Sequence, residues 1–152
     1  MRFATRLDDT VGRPMEILLI EDDLEDAGLT MEALREGQVL CRVSLVRDGE
    51  EAMEFLTRFG KYRSAPQPDL ILLDLHLPKK DGREVLAEVR GDERLCRVPV
   101  VVLTASTTHR EILQSENLHV EDYLVKPVDL DQFLTVVRSL KKYWLSDVIL
   151  PQ

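Results

Sequence analysis

Polar side chains that can do chemistry follow four short apolar runs of this chain. They are the carboxylates of Glu21, Asp22 and Asp74, the hydroxyl of Thr104 and the ammonium group of Lys126. If these runs are parallel strands, the side chains meet at one edge of a sheet, because ligands of such sheets bind beyond the carboxyl ends of the strands. An aspartate in that position can attack a phosphoryl group and form an acyl phosphate. The pattern therefore predicts a single phosphoryl site at this edge.

The same residues indicate which metal ion would accompany the site. Several carboxylates in one crevice repel one another unless a cation or protons are taken up. All the candidate ligands are oxygen atoms, and Mg²⁺ characteristically takes one or two carboxylates, keeps several waters and leaves room for phosphate. Zinc is disfavoured because no His or Cys cluster accompanies the acids. Lys126 and Thr104 would then contact phosphoryl oxygens, since such transfer depends mostly on positioning and charge neutralisation.

Each of these residues also has a simpler explanation when it is taken alone. Asp22 or Asp23 could serve only to cap the helix that begins near Leu24, and capping is the preferred interpretation for Asp23. Thr104 alone is more often a strand-end hydroxyl, and Lys126 alone is usually a solvated charge. Their joint placement at the ends of predicted strands favours the functional interpretation.

The elements that must position these residues follow from the apolar pattern. Five short apolar runs alternate with five segments of helical period, which predicts an α/β fold with a parallel sheet and helices on both faces. Residues 71–73 and 100–103 are continuously apolar, as strands covered on both faces should be. The strands are predicted near residues 16–20, 41–46, 69–73, 98–103 and 120–125.

Apolar residues at steps of three or four and capping signals locate the helices. We expect the first helix to pack through Leu24, Ala27, Met31 and Leu34. Gly37 would end it in the left-handed conformation, and Gly60 would stop the second helix. A weak apolar face behind the capping box that begins at Thr108 suggests mobility in the fourth helix. Asp129 would cap the fifth.

Length and charge restrict the class of protein. The chain has 152 residues, which suits one domain. Its 28 acidic and 20 basic residues leave a net charge of −8, which argues against direct nucleic-acid binding. Cys41 and Cys96 lack metal or redox spacing and indicate reduced thiols in a cytoplasmic protein. We expect a disordered leader at 1–14, a folded domain at 15–145, an apolar tail at 146–152 and no membrane span.

At this point four motifs resemble one family. They are Leu19–Asp23, Leu72–Pro78 followed by Asp81-Gly82, Leu103–Ala105 and Tyr123–Pro127. Together they resemble the bacterial response-regulator receiver domain of the CheY-like superfamily over about Met15 to Leu145. The resemblance implies a doubly wound, flavodoxin-like sheet of five parallel strands in the order 2-1-3-4-5, with five helices.

The resemblance also assigns roles to the residues that match its motifs. Asp74 would be the phosphoacceptor, and Lys126 would contact the phosphoryl group. The peptide bond between Lys126 and Pro127 would be cis. Asp22 would bind Mg²⁺ directly and Glu21 through water. The backbone carbonyl of His76 would complete the protein's share of the coordination.

Two further positions would carry the response to phosphorylation. The hydroxyl of Thr104 would move toward the phosphoryl group while the ring of Tyr123 turns inward. Glu21 replaces the aspartate common in the family and Asp23 adds a second acid after Asp22, so which carboxylate contacts the metal stays open. The imidazole of His76 either modulates hydrolysis of the acyl phosphate or is merely exposed, and exposure is the preferred interpretation.

Three segments resemble more narrowly the small regulators paired with bacterial phytochromes: 59–68, 78–86 and 143–151. This resemblance implies a sensor histidine kinase, namely a bacteriophytochrome, as partner, together with an unidentified downstream protein. The apolar tail from Trp144 could be a partner surface or fold back over its own helix. The resemblance favours a homodimer.

Two other functions are compatible with an aspartate after a strand. A haloacid-dehalogenase-type phosphatase also uses one, but it needs a second acid two residues later, where this chain has His76. A receiver-like interaction module that never takes phosphate commonly loses acidic residues or the lysine, and here all are present. The prediction is therefore a stand-alone signalling regulator without enzymatic turnover of an external substrate.

Overall fold

One mixed sheet forms the centre of the molecule. The computed structural model describes residues 2–4, 13–105 and 118–140, and for 2–4 only the backbone. Within these residues the sheet has six strands in the order β1-β3-β2-β4-β5-β6. The strands are β1 (Arg2–Ala4), β2 (Met15–Ile20), β3 (Cys41–Val46), β4 (Leu70–Asp74), β5 (Val100–Thr104) and β6 (Asp122–Val125).

Strands β2 to β6 are mutually parallel and lie in the order β3-β2-β4-β5-β6. When these five strands are numbered 1 to 5 along the chain, this is the predicted order 2-1-3-4-5. Strand β1 differs from prediction, because it pairs antiparallel with β3 at a position where a disordered leader was expected. An open strand edge presents unpaired N–H and C=O groups, and β1 pairs with those of β3. Arg13 is also part of the fold, since its guanidinium group contacts both carboxylate oxygens of Asp69 at 2.7 and 2.8 Å.

Four helices cover the two faces of the sheet within the described residues. They are α1 (Leu24–Glu36), α2 (Gly49–Thr57), α3 (Gly82–Gly91) and α4 (Leu130–Ser139), with a 3₁₀ turn at Gly60–Tyr62. Helices α1 and α4 bury their apolar residues on one face, and α2 and α3 do so on the other. Strands β4 and β5 are buried along their whole length, as predicted for strands covered on both sides.

The ends of the helices confirm some predictions and correct others. The Asp23 carboxylate caps α1. It accepts hydrogen bonds from the backbone N–H groups of Glu25 and Asp26 at 2.9 and 3.1 Å. Leu24 does not join the packing stripe, since it is 53% exposed. Asp129 caps α4 as expected.

Helix α1 ends at Gly37 as predicted, but not in the predicted conformation, and helix α2 ends before its predicted glycine. Gly37 has a φ of −78°, and the left-handed residue is instead Gln38, with a φ of 54°. A Cβ atom at Gly37 would meet the end of the Leu130 side chain, which would have to shift to make room. Helix α2 ends before Gly60, at Thr57, with Arg58 in the left-handed conformation.

The helix predicted behind Thr108 and the apolar tail from 146 lie outside the described residues. Among the helices that are described, none is long and apolar enough to cross a membrane.

Candidate functional site

The polar residues singled out in the sequence lie where the parallel strands end. Asp74 and Thr104 are the last residues of β4 and β5, and Glu21 and Lys126 directly follow β2 and β6. Because these strands are parallel and paired, their carboxyl ends share one edge of the sheet. The Lys126 Nζ atom lies 2.7 Å from an oxygen of Glu21 and 2.7 Å from one of Asp74.

Asp74 lies at the centre of this edge and is only 6% exposed. Its Oδ1 atom accepts from the backbone N–H of His76 at 2.9 Å, and its Oδ2 atom accepts from Lys126. Burial alone would raise the pKa of Asp74, but hydrogen bonds with Glu21, Lys126 and the His76 N–H outweigh burial and lower this pKa. The carboxylate of Asp74 is therefore held ionised and fixed in orientation.

Glu21 is the second buried acid of the site, with 1% exposure. Burial and then the hydrogen bond with Asp74 raise the pKa of Glu21 to about 8. For Lys126, burial alone would lower the pKa, but the contacts with Asp74 and Glu21 outweigh burial and raise it above the ordinary lysine value. One fixed cation thus lies between two acids that are themselves in contact.

A tight approach between chain segments supports the loop after Asp74. The backbone N–H of Gly82, the first residue of α3, donates to the carbonyl of Leu75 at 3.0 Å. A Cβ atom at Gly82 would lie 2.5 Å from the Cα atom of Leu75 and 2.7 Å from the carbonyl oxygen of Asp74. Only glycine lets the helix come this close to the backbone of the proposed acceptor.

The structure does not bring all the predicted metal ligands together. Asp22 is exposed, and its carboxylate lies 4.0 Å from the Arg47 guanidinium group, which also donates to the Asp22 carbonyl at 3.1 Å. The imidazole of His76 is exposed, which was its preferred interpretation. Within the described part of the chain, no three His, Cys, Asp or Glu side chains form a preassembled metal cluster.

The two predicted switch residues lie on neighbouring strands. Thr104 is 3% exposed, and its carbonyl accepts from the backbone N–H of Lys126 at 2.9 Å. Tyr123 is half-buried in β6 and packs against the core between the sheet and α2 and α3. The Lys126–Pro127 peptide bond is cis, as the sequence predicted.

One residue near the site was missed by sequence reasoning. Asp26, in the first turn of α1, accepts from Lys126 Nζ at 3.2 Å. The only signal was its position four residues after Asp22, one helical turn along a helix that begins at the strand end. Lys126 therefore contacts three carboxylates.

The donor set fits a hard divalent cation. Two buried carboxylates in contact are stable only with a proton or a cation to offset their repulsion. The Glu21 Oε1 atom is buried and lies 2.7 Å from Lys126 Nζ, whose single positive charge is shared among three carboxylates. Two carboxylates plus a backbone carbonyl match the small protein share that Mg²⁺ takes, and they are all oxygen ligands.

Comparison with known proteins identifies relatives across almost the whole chain. The family model described as "Response regulator receiver domain" matches residues 17–138. Response regulator Rcp1 of Synechocystis sp. is 43% identical over 145 residues, which cover 95% of this chain and 99% of the relative.

Solved structures show the same fold. The phosphorylated cyanobacterial phytochrome response regulator RcpA has a TM-score of 0.71 and 47% identity over 91% of this chain and 99% of that one. The Mn(2+)-bound form of response regulator Rcp1 has a TM-score of 0.70 and 45% identity over 91% of this chain and 100% of that one.

Proposed function

We propose, because the chain belongs to the response regulator receiver domain family of two-component signalling, that Asp74 accepts a phosphoryl group from a sensor histidine kinase. The observation that carries this proposal is the buried Asp74 carboxylate at the end of a central parallel strand, 2.7 Å from the Lys126 ammonium group. An oxygen of Asp74 attacks phosphorus, the bond from phosphorus to the donor breaks, and the donor leaves with that bonding pair.

The surrounding residues would position this step and neutralise its charge. Lys126 already contacts Asp74 and would pair with an oxygen of the incoming group. The N–H of His76 holds the other carboxylate oxygen and so fixes the direction of attack. Catalysis of such transfer needs little beyond this placement and charge neutralisation.

Glu21, Asp22, Asp74 and the carbonyl of His76 would hold Mg²⁺ at this site. When bound, the ion would supply a second positive charge that draws a phosphate dianion toward a carboxylate. Glu21 and Asp74 are adjacent and buried, whereas Asp22 would have to turn away from Arg47 to reach the ion. The relative Rcp1, solved with Mn²⁺, supports a divalent cation here.

Thr104 and Tyr123 would transmit the change to a protein surface. The Thr104 hydroxyl would move toward the phosphoryl group, and the Tyr123 ring would turn further inward and repack the face beside β6. The adjacency of β5 and β6, with Val102 opposite Tyr123 in the register, supports this coupling. The output would be altered binding of a downstream protein.

The similarity to the phytochrome response regulator RcpA supports a bacteriophytochrome as the kinase. The protein would act in the cytoplasm, where a histidine kinase presents its phosphoryl group. We further propose a homodimer that uses the apolar residues from Trp144 onward. Light scattering of the full chain and of a form lacking residues 144–152 tests this, and equal masses for both would exclude a role of the tail.

The central experiment measures intact-protein mass after incubation with acetyl phosphate and Mg²⁺. We expect one added phosphoryl group in the wild type, and none in Asp74→Asn or with a chelator. Asp81→Asn is a matched control, because Asp81 is the N-cap of α3 and lies outside the cluster. No adduct in the wild type, together with no binding of beryllofluoride, would favour a phosphate-independent interaction module.

A further inference from the structure

A cavity of about 430 Å³ opens on the face of the sheet covered by α2. It lies against β3, beneath the 3₁₀ turn and the loop that follows it. Strand β2 separates β3 from the strand that carries Asp74, and no residue of the phosphoryl site lines the cavity. The lining residues are Ser44, Leu45, Phe55, Lys61, Tyr62, Ser64, Ala65 and Pro66.

The walls of this cavity are suited to a flat apolar group. The rings of Phe55 and Tyr62 lie with centroids 5.2 Å apart at an angle of 58°. Aromatic rings favour such tilted or offset partners, and a third ring gains contact with both. The volume is within the range of small-molecule sites, about 300–1,000 Å³, which are mostly apolar with a few polar groups.

One lining residue of the cavity carries a polar group that has no partner among the described residues. Ser44 is only 6% exposed, and its Oγ atom makes no hydrogen bond among the residues that the structure describes. A buried hydroxyl without a partner is unfavourable because it has lost water and gained nothing in exchange. A bound molecule with one hydrogen-bonding group would satisfy it.

Charges at the rim decide the charge class of that molecule. Burial raises the pKa of Tyr62 to about 12. The carboxylate of Glu51, which is hydrogen-bonded to Tyr62, contributes to this rise, and Glu54 and Asp48 add to it. The rim cation Lys61 lies 5.2 Å from the Tyr62 ring centroid and 3.9 Å from Glu51. Lys61, the one charged residue among those that line the cavity, already lies against Glu51, so it offers little free positive charge to an anionic ligand.

We propose that this cavity binds a small, neutral, planar aromatic molecule that carries one hydroxyl or amide group. The ring packs against Phe55 and Tyr62, and the polar group hydrogen-bonds to Ser44 Oγ. This site is independent of phosphorylation, and the variant Asp74→Asn binds the same ligand with unchanged affinity.

The test is an NMR titration of the full chain with phenol, observing backbone amide signals. We expect saturable shifts confined to β3, the end of α2 and residues 61–66. Ser44→Ala weakens phenol binding by about three- to tenfold, the worth of one hydrogen bond. Ser64→Ala, at an exposed position of the same cavity, changes the affinity less than twofold. Benzoate binds more weakly than phenol because its carboxylate loses water on entering the cavity and Lys61 already lies against Glu51.

The stability of Ser44→Ala gives a second readout. Since the hydroxyl has no described partner, its removal leaves the thermal midpoint within about 2 °C of the wild type. Ala65→Leu fills the cavity and abolishes phenol binding in a protein that stays folded. Absence of saturable shifts with phenol, or equal affinity in wild type and Ser44→Ala, overturns the proposal. If Ser44 Oγ binds only a water molecule, phenol causes no saturable shifts, and the proposal is overturned.

Discussion

Arg90 offers the sharpest test of what holds the sheet together at the end opposite Asp74. Its guanidinium group donates to the carbonyls of His119, Cys96 and Val98 at 2.9 to 3.1 Å. It also contacts both oxygens of Glu121, at 2.6 and 3.1 Å. Arg90 thus ties α3 to the segments that lead into β5 and β6, the strands of Thr104 and Lys126.

The expected cost of Arg90→Met follows from burial. The side chain of Glu121 is 5% exposed and that of Arg90 17%. Loss of one partner of a buried ion pair costs about 3–5 kcal/mol. Glu121 keeps the Val100 N–H at 2.6 Å and the exposed His119 imidazole at 2.9 Å, so we take the lower end, about 3 kcal/mol.

Urea unfolding at neutral pH measures this loss as a lower midpoint with an unchanged dependence on urea. Thermal unfolding should show a decrease in Tm of roughly 6–12 °C, since about 1 kcal/mol shifts Tm by roughly 2–4 °C in a chain of this size. Arg94→Met is the matched control. Arg94 is 75% exposed and lies 3.6 Å from Asp92, so its loss costs at most about 1 kcal/mol.

A double variant separates the charge from the packing. Glu121→Gln retains an oxygen for the Val100 N–H and removes the negative charge. We expect Arg90→Met to cost less in the presence of Glu121→Gln than alone, because no buried charge is left without a partner. If Arg90→Met costs no more than Arg94→Met, the reasoning from burial is refuted.

Three further changes test other parts of the structure. Gly82→Ala should lower the free energy of unfolding by about 1–3 kcal/mol and slow phosphorylation of Asp74, because the new Cβ atom displaces backbone. Burial of Cys41, and after it the charge of Glu16, raises the pKa of this thiol from 9.0 to about 12. Between these pH values only the unfolded thiol ionises, so the stability measured in urea should fall as the pH rises. The variant Cys41→Ala should reduce that fall. Asp26→Asn should speed phosphorylation by acetyl phosphate up to about fivefold, because Lys126 then has one carboxylate fewer to contact.

Matched variants control each of these changes. Gly91→Ala lies in the same helix as Gly82, and a Cβ atom there meets nothing within 4 Å, so no loss is expected. Equal losses in the two would contradict the argument from close approach. Cys96→Ala should leave the alkaline fall in place, and a flattened curve would assign it to the wrong thiol. Glu25→Gln, in the same turn as Asp26, should not alter the phosphorylation rate, and an equal gain would indicate a general charge effect.

The comparison of sequence with structure divides along the range of the interactions. Strand positions, to within two residues, and the Asp23 and Asp129 caps were predicted correctly, because apolar periodicity and capping depend on neighbouring residues. The order of the parallel strands was implied by the family resemblance. Helix α1 ends at Gly37 as predicted, but the left-handed conformation expected there was wrong, because Gln38 adopts it instead. The packing of Leu24 was wrong, because Leu24 is 53% exposed although it shares the helical spacing of the buried Ala27 and Leu34.

The site shows the same division. Sequence alone indicated that Glu21, Asp74, Thr104 and Lys126 share an edge of the sheet. The end of each strand is a local signal, and a parallel sheet brings the carboxyl ends of its strands to the same edge. It could not show that Asp26 contacts Lys126, since the two are 100 residues apart. Nor could it show that Glu21 is buried, with a raised pKa, while its neighbour Asp22 is exposed.

The amino-acid sequence by itself determined the order of elements, the class of fold and the family, and it predicts Asp74 as the residue that accepts a phosphoryl group. Only the tertiary structure decided the partners of Lys126, the contact of Arg90 with Glu121, and the burial of the Ser44 hydroxyl, which has no partner among the described residues. The physical reason is that periodicity and capping act over a few residues. Burial, charge pairing and hydrogen-bond satisfaction depend instead on which distant segments the packed sheet brings within about 3 Å.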